Sequence, residues 1–461
     1  MNMRIEQPRQ AAWPAAARLL ARWLDRHERI DELLDTLPPG LGGVERARCQ
    51  HLVYGVLRHH GRLDAALRRL VSHPPRFSTR AVLLMAGYEL LEGSVPPVEE
   101  GLVAKIVHHA VEQAKVLASP AEARLVNAVV RKLAPLLAVP PPPKLATAEV
   151  LAEYFSHPEW LVKRWLLAFG AEPTRQLLEW NQQPAPVYAR WRPSFAKAAE
   201  GAAQGEAPPE WLKPTAWAGF YEVTSGHWPE VERLLKGGQL YLQDPGTRLA
   251  VELLAPQRGE TVLDVCAAPG GKSLLIADAM RGGLTEASAG RLIAMDLPPA
   301  PTEQTGNRPA PRIERLKENL ARVQGLDVAL VLADVQRGAA LELREHNLPE
   351  EFAAVLIDVP CSNSGVMRHR VDVKWRLQET DFAKHGRQQL ALLHAAARLV
   401  APGGRLVYST CSIDAEENEQ VLKTFFESRA GGPFKLESKA QSLPWVTGHD
   451  GAGAFLLRKQ A

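Results

Sequence analysis

Four cysteines in 461 residues are too few for a disulfide-stapled scaffold, and none forms the C-x-x-C pair of a zinc site. Cys49, Cys266, Cys361 and Cys411 are therefore packing residues or reactive thiols. No apolar run approaches the roughly 18 residues of a membrane-spanning helix. The start, MNMRIEQPRQAAW, has no apolar core for a signal peptide, so a cytoplasmic protein without a membrane partner is expected. Internal repeats are lacking. So are G-x-G-x-x-G and G-x-x-x-x-G-K-[ST], which weakens a dinucleotide oxidoreductase or a nucleoside-triphosphate enzyme. An excess of one charge is lacking too: 55 Lys and Arg face 52 Asp and Glu, a net +3. Taken over the whole chain, that balance does not imply nucleic acid. What is present is ordinary for a globular chain, 46% hydrophobic and 23% charged, which excludes wholesale disorder. The length predicts about three domains.

Charge and pattern divide the chain. Residues 1–145 hold 20 Lys and Arg against 14 Asp and Glu, so this part is +6 and the rest is −3. Apolar residues recur there at three- and four-residue spacing, in AARLLARWLDRHERIDELLDTL, RARCQHLVYGVLRHHGRLDAALRRLV, TRAVLLMAGYELLEG, GLVAKIVHHAVEQAKVL and AEARLVNAVVRKLAPLL. This predicts a helical bundle over 1–139 with arginines outside. Those arginines either solvate the bundle or face RNA, and charge alone supports both readings. The run VPPPPK (139–144) favours stiff polyproline II geometry and predicts a boundary. Residues 146–239 predict a small α+β connecting domain rich in tryptophan, with a strand at VYARWRP. Tryptophans interleaved with basic residues can stack on RNA bases, but in a unit this small most of them are expected in its core.

From 240 to 461 short apolar runs ending in Asp or Cys (ETVLDVC, RLIAMD, VALVLADV, AAVLIDVP) alternate with helix-like segments. This predicts a doubly wound, Rossmann-like α/β sheet. A last helix should stop at Pro402-Gly403-Gly404, before the strand GRLVYSTCS. Ligands bind such folds at the carboxyl ends of the strands. There Cys266-Ala267-Ala268-Pro269-Gly270-Gly271-Lys272 leads into a helix. Its small residues let the backbone approach a ligand, and the helix start offers N–H groups to a carboxylate. Asp296, Asp334 and Asp358 close the next three strands. One such Asp reads as a helix cap, whereas three around a small-residue loop point to a ligand site, with Asp296 suited to ribose hydroxyls.

LDVCAAPGGKS, IDVPCSNSGV and YSTCSI, in that order, resemble the RNA cytosine-5 methyltransferases that use S-adenosylmethionine. QDPGTRLAVELL and HDGAGAFLLRK resemble the same family's edges, and LVYGVLR with RLVNAVVRKL is similar to the NusB antiterminator fold. That fusion is the arrangement of the bacterial Sun/RsmB branch, which implies methylation of a cytosine of 16S ribosomal RNA. The implied partner is that RNA, free or in a partly assembled small subunit, with a monomeric enzyme and no metal. Carbon 5 of cytosine is a poor nucleophile until a thiolate adds to carbon 6. Position alone does not order Cys361 and Cys411, and DNA enzymes of related chemistry use a Pro-Cys nucleophile. The resemblance assigns Cys411 as the nucleophile and Cys361 as the thiol that assists product release. Asp358 is expected to contact the cytosine amidine while neighbouring the sulfonium, and Lys272 either to lower a thiol pKa or to pair with an Asp. Cys49 is read as packing.

The family's Arg-Arg-x-Pro-Asp-x-x-Trp stretch is matched at Arg368, Asp372 and Trp375, with Val371 replacing the proline. Arg368 and Lys374 are expected to meet RNA phosphates, with a salt bridge from Arg368 to a strand-end Asp as the alternative. Asn363 stands where the family has Gly, and Asn is the residue best able to hold a positive φ in its place. The proline-rich insertion 297–311 is expected as an exposed loop beside the ribose pocket. Two rivals share these motifs: the same chemistry on tRNA or 23S rRNA, and an antiterminator-like RNA-binding protein whose methyltransferase domain is inactive.

Overall fold

The computed structural model describes residues 9–94, 100–192, 207–281, 290–299 and 311–461. Most of the proline-rich insertion, 300–310, lies outside them. The chain forms two compact units, Met1–Pro184 with Met367–Glu379, and Ala185–Val366 with Thr380–Ala461.

The first unit is helical. Arg9–Arg26, Gly43–Arg68, Phe77–Gly93, Leu102–Leu117 and Pro120–Leu137 follow the expected periodicity. The first predicted helix breaks at His27, which takes a left-handed φ of 48°, before a short helix Ile30–Asp35. Their shared core contains Trp23, Leu52, Val56, Met85, Val126 and Cys49. Cys49 is fully buried, and burial pushes its thiol up to about 11, as suits a packing residue.

The proline run is not a border. Three more helices, Ala148–Tyr154, Glu159–Phe169 and Ala171–Gln182, belong to the same unit. Polar contacts hold them there: Ser156 Oγ accepts from Gly61 N at 2.6 Å, and Gln182 Nε2 donates to Arg58 O at 3.2 Å. Arg175 Nη1 ties the proline run itself through Pro142 O at 2.9 Å. Of the seven tryptophans between 146 and 250, only Trp165 is completely buried, and Trp228 is exposed.

In the second unit, β1 (Tyr188–Trp191), β2 (Leu212–Pro214), β3 (Phe220–Val223) and β4 (Leu240–Leu242) make a small antiparallel sheet in the order β2-β3-β1-β4. Arg192 grips Asp278 on the helix Gly271–Arg281 with two hydrogen bonds of 2.8 Å, and Arg190 pairs with the same carboxylate. This buried ion cluster explains why the sheet belongs with the catalytic fold rather than forming a domain of its own.

The large sheet contains β5 (Thr261–Val265), β6 (Arg291–Asp296), β7 (Asp327–Leu332), β8 (Phe352–Asp358), β9 (Val400–Thr410), β10 (Phe434–Ser442) and β11 (Ala452–Lys459). Its order is β10-β11-β9-β8-β5-β6-β7. β9, β8, β5, β6 and β7 run parallel, and β10 and β11 add an antiparallel edge. Helices cover both faces of the parallel strands, which is why those strands read as unbroken apolar runs. The helix expected to end at Pro402 ends earlier, at Arg398. Pro402-Gly403-Gly404 instead lies inside β9, where the β8–β9 register shifts between Phe352 and Ala354. Gly403 there takes a φ of 71°, so the turn residues form an irregularity in the strand instead of a helix stop. Among the described residues no helix is long and apolar enough to cross a membrane.

Candidate active site

The connection order reverses beside β5: β6 and β7 extend to one side, β8 and β9 to the other. A ligand crevice is expected at that switch point, beyond the carboxyl ends of the strands. Parallel register puts Val265 beside Met295 and Ile357, and Asp358 beside Ser409. The loops carrying Cys266, Asp296, Cys361 and Cys411 thus leave four adjacent strands at one sheet edge.

The loop after β5 is a cradle. Cys266 has a φ of 60° and Gly270 one of 103°. A Cβ on Gly270 would sit 3.1 Å from both Asn319 Cβ and Leu316 Cδ1, so only glycine lets the loop lie against that helix. Asp296 is buried; its Oδ2 accepts from Ala268 N at 2.8 Å, and its Oδ1 accepts from Leu297 N and Arg312. Asp264 is completely buried, accepts from Ser273 Oγ at 2.5 Å, and leaves Oδ1 without a partner among the described residues. Burial pushes its carboxyl up to about 7, Ser273 opposing and Asp358 adding to the effect. Burial, then Asp296 and the other carboxylates, drives the Cys266 thiol far up, so it is a wall of the loop and not a nucleophile. Asp334 lies two residues beyond β7, half-exposed, capping a turn through Gln336 N at 2.9 Å. An unpaired buried oxygen, a glycine cradle and a helix start beside a strand-end Asp fit S-adenosylmethionine, whose amino acid carries a carboxylate and whose ribose carries two hydroxyls.

Cys361 Sγ and Cys411 Sγ lie 3.0 Å apart. In the neutral pair Cys411 donates to Asn363 Oδ1 at 3.3 Å. Asn363 has a φ of 61° and returns Nδ2 to Cys361 O at 3.0 Å, so this Asn fills the glycine's conformational place and also joins the two cysteine loops. The hydrogen bond with Cys411, and then burial, push the Cys361 thiol well up. Lys272 Nζ donates to Asp358 Oδ2 at 2.7 Å. Burial disfavours that ammonium, yet Asp358 more than offsets it, and Cys411 is among the groups that favour its charge. Of the two expectations for Lys272, the pairing with an Asp is the one found, to Asp358. A recess of 60 Å³ beside Cys411 is lined by Asp244, Lys272, Thr410, Asp450 and Gly451.

Sequence reasoning missed a buried polar frame beneath the thiols. Glu417 is completely buried and accepts from Ser362 N at 2.8 Å, from Ser362 Oγ, and from Gln389 Nε2 at 3.0 Å. Ser364 Oγ meets Ser412 Oγ at 3.1 Å, and Asn418 Nδ2 donates to Ser412 O at 3.0 Å. Glu417 sits in an ordinary acidic stretch, D-A-E-E-N-E, whose spacing marks none of its carboxylates.

The two basic residues expected to meet RNA are placed in the helical unit, where one is unavailable. Lys374 is buried, its Nζ donating to Arg58 O at 2.9 Å among His59, His60 and His157; burial and Arg58 hold its pKa well below the usual lysine value. That overturns its assignment to a phosphate contact. The residue donates to a carbonyl inside the helix Gly43–Arg68, beside Trp375 Nε1, which donates to Leu57 O at 2.8 Å. Arg368 lies over the Trp180 ring at 4.1 Å and donates to Pro184 O at 2.8 Å.

The model of the family described as 16S rRNA methyltransferase RsmB/F matches residues 251–441, and that of the NusB family matches residues 10–135. The ribosomal RNA small subunit methyltransferase B of Sodalis glossinidius is 32% identical over 450 residues, 95% of each chain. The chain belongs to the RsmB/F family. The probable ribosomal RNA small subunit methyltransferase B of Bacillus subtilis is 29% identical, covering 91% of this chain and 92% of its own. The crystal structure of PH0851 shares the fold, with a TM-score of 0.69 at 21% identity and all of both chains covered. As a family member the protein is an S-adenosylmethionine-dependent RNA methyltransferase with a NusB-type helical region and a parallel-rich α/β core.

Proposed function

We propose that this enzyme methylates carbon 5 of a cytosine in 16S ribosomal RNA through a covalent adduct between Cys411 and carbon 6. The observation that carries the proposal is the thiol pair, 3.0 Å apart at the ends of β8 and β9, with the Lys272–Asp358 ion pair beside it. S-adenosylmethionine, when bound, supplies an electrophilic methyl group; the Ala267–Lys272 loop, Asp296, Asp334 and Asp358 are the residues that would hold it. The Cys411 thiolate adds to carbon 6 and makes carbon 5 nucleophilic. Asp358 faces the cytosine amidine and favours its protonated form. Loss of the C5 proton to a base then expels the Cys411 thiolate and restores the aromatic ring, a release that Cys361 assists. The enzyme acts as a monomer in the cytoplasm, on RNA that is free or partly assembled, and Arg368 faces the RNA backbone.

The test is a labelled-methyl transfer assay on 16S rRNA, tRNA and 23S rRNA. Cys411→Ser is expected to abolish transfer, and Cys361→Ser to accumulate a covalent enzyme–RNA adduct on 16S rRNA alone. Full activity of Cys411→Ser would refute the proposal, and label on tRNA or 23S rRNA in place of 16S rRNA would move the substrate.

A further inference from the structure

Glu417 has no place in the chemistry above, yet it is a completely buried carboxylate beside the Cys361 loop. All its neighbours within hydrogen-bond distance of the side chain are donors: Ser362 N, Ser362 Oγ and Gln389 Nε2. Two of the three belong to the residue that follows Cys361. Gln389, itself completely buried, spends the same amide group on Pro360 O at 3.0 Å, so the residues before and after Cys361 are both held by this frame. The Glu417 backbone is fixed in turn, its carbonyl accepting from the buried Tyr408 hydroxyl at 2.6 Å. Tyr408 stands three residues before Cys411 on β9. A carboxylate here accepts all three bonds at once, whereas a neutral amide must turn Ser362 Oγ from donor to acceptor and gives up the charge-assisted bonds.

We propose that Glu417 is a positioning residue for product release, clamping Pro360-Cys361-Ser362 so that the Cys361 thiol points at Cys411. This rests on the two-cysteine reading above. The clamp is electrostatic as well as geometric, because the buried negative charge beside Cys361 opposes its ionisation. In this role Glu417 makes and breaks no covalent bond and touches neither RNA nor cofactor.

Glu417→Gln keeps the shape and removes the charge. With saturating 16S rRNA and S-adenosylmethionine it should lower kcat by about 10- to 100-fold, the scale of one charged buried hydrogen bond, with KM for RNA unchanged. On a denaturing gel it should accumulate covalent enzyme–RNA adduct as Cys361→Ser does. Ser362→Ala, which deletes one donor and keeps the loop, should show the same pattern more weakly, and so gives a readout if the Gln variant is unstable. A merely structural role would lower adduct and product together, which overturns the proposal, as does a wild-type kcat in both variants. Failure of the underlying reading is separate: if Cys361→Ser itself accumulates no adduct, the release role of Cys361 is wrong and the assignment of Glu417 falls with it. If Cys361→Ser accumulates adduct and neither Glu417→Gln nor Ser362→Ala does, only the positioning role is wrong.

Discussion

Asp264 offers a prediction that depends on burial alone. Its carboxyl lies at the end of β5 with no exposed surface, one oxygen held by Ser273 and the other unpaired among the described residues. Burial raises it from the usual 3.8 to about 7. Below about pH 4 the group is protonated in both folded and unfolded chains, and its titration costs nothing. As the pH rises, the unfolded chain releases the proton first while the folded chain keeps it. Stability therefore falls until the folded carboxyl also ionises near pH 7, and the loss is complete above that. Three pH units of separation correspond to about 4 kcal/mol, of which about 3 kcal/mol develops between pH 5 and pH 8. Asp264→Asn removes the titration and keeps the size of the group. Urea unfolding of the full chain, followed by circular dichroism at several pH values, should show the Asn variant gaining on the wild type by about 3 kcal/mol over that interval. A difference between the two that stays constant from pH 5 to pH 8 would mean that the carboxylate is already ionised and solvated, and that the account of the β5 end is wrong.

Lys272→Met should leave Asp358 without its ammonium and Cys411 without its neighbouring charge; a loss of about 100-fold or more in methyl transfer is expected, read with labelled cofactor. Gly365→Ala would set a Cβ 2.7 Å from Cys411 O and 2.8 Å from Gly451 Cα, both backbone atoms that cannot swing away. It should cost about 1–3 kcal/mol in thermal unfolding and reduce turnover disproportionately, because the displaced atom belongs to the nucleophile. Lys374→Met should leave the affinity for 16S rRNA unchanged in a filter-binding titration, and it should stabilise the helical unit. Because burial lowers the lysine pKa, the wild type loses stability as pH falls below the unfolded value of about 10.5. The gain from Met should therefore be larger at pH 7 than at pH 10.

The strand ends were legible because a buried parallel strand is an apolar run and a ligand-facing end is polar, so DVC, MD, IDVP and STC announce themselves. The helices of the first unit were legible for the same kind of reason, a strong three- and four-residue spacing. Less visible were features set by tertiary contact. VPPPPK looks like a linker, and contacts such as those of Arg175, Ser156 and Gln182 show that the helices after it stay with the bundle. Arg368 to Trp375 looks like a cationic RNA strip, but a lysine can be buried where a carbonyl inside a helix accepts from its ammonium, as Arg58 O does for Lys374 while Arg62 N turns to Ser156 Oγ. Pro402-Gly403-Gly404 has the chemistry of a helix stop, which a strand irregularity uses equally well. Glu417 left no trace in the spacing, since its function depends on donors from residues 28 and 55 positions away in the chain. Asn363 was the reverse case, a departure from the family pattern whose φ of 61° follows from the conformational tolerance of Asn.

The central claim is that Cys411, and not Cys361, bonds to the cytosine. Mixing the Cys361→Ser variant with 16S rRNA and S-adenosylmethionine, digesting with nuclease and protease, and locating the modified peptide by mass spectrometry tests it directly. The peptide containing Cys411 should carry one methylated cytidine nucleotide. An unmodified Cys411 peptide in a preparation that transfers methyl groups, or the nucleotide found on the residue 361 peptide, would contradict the account.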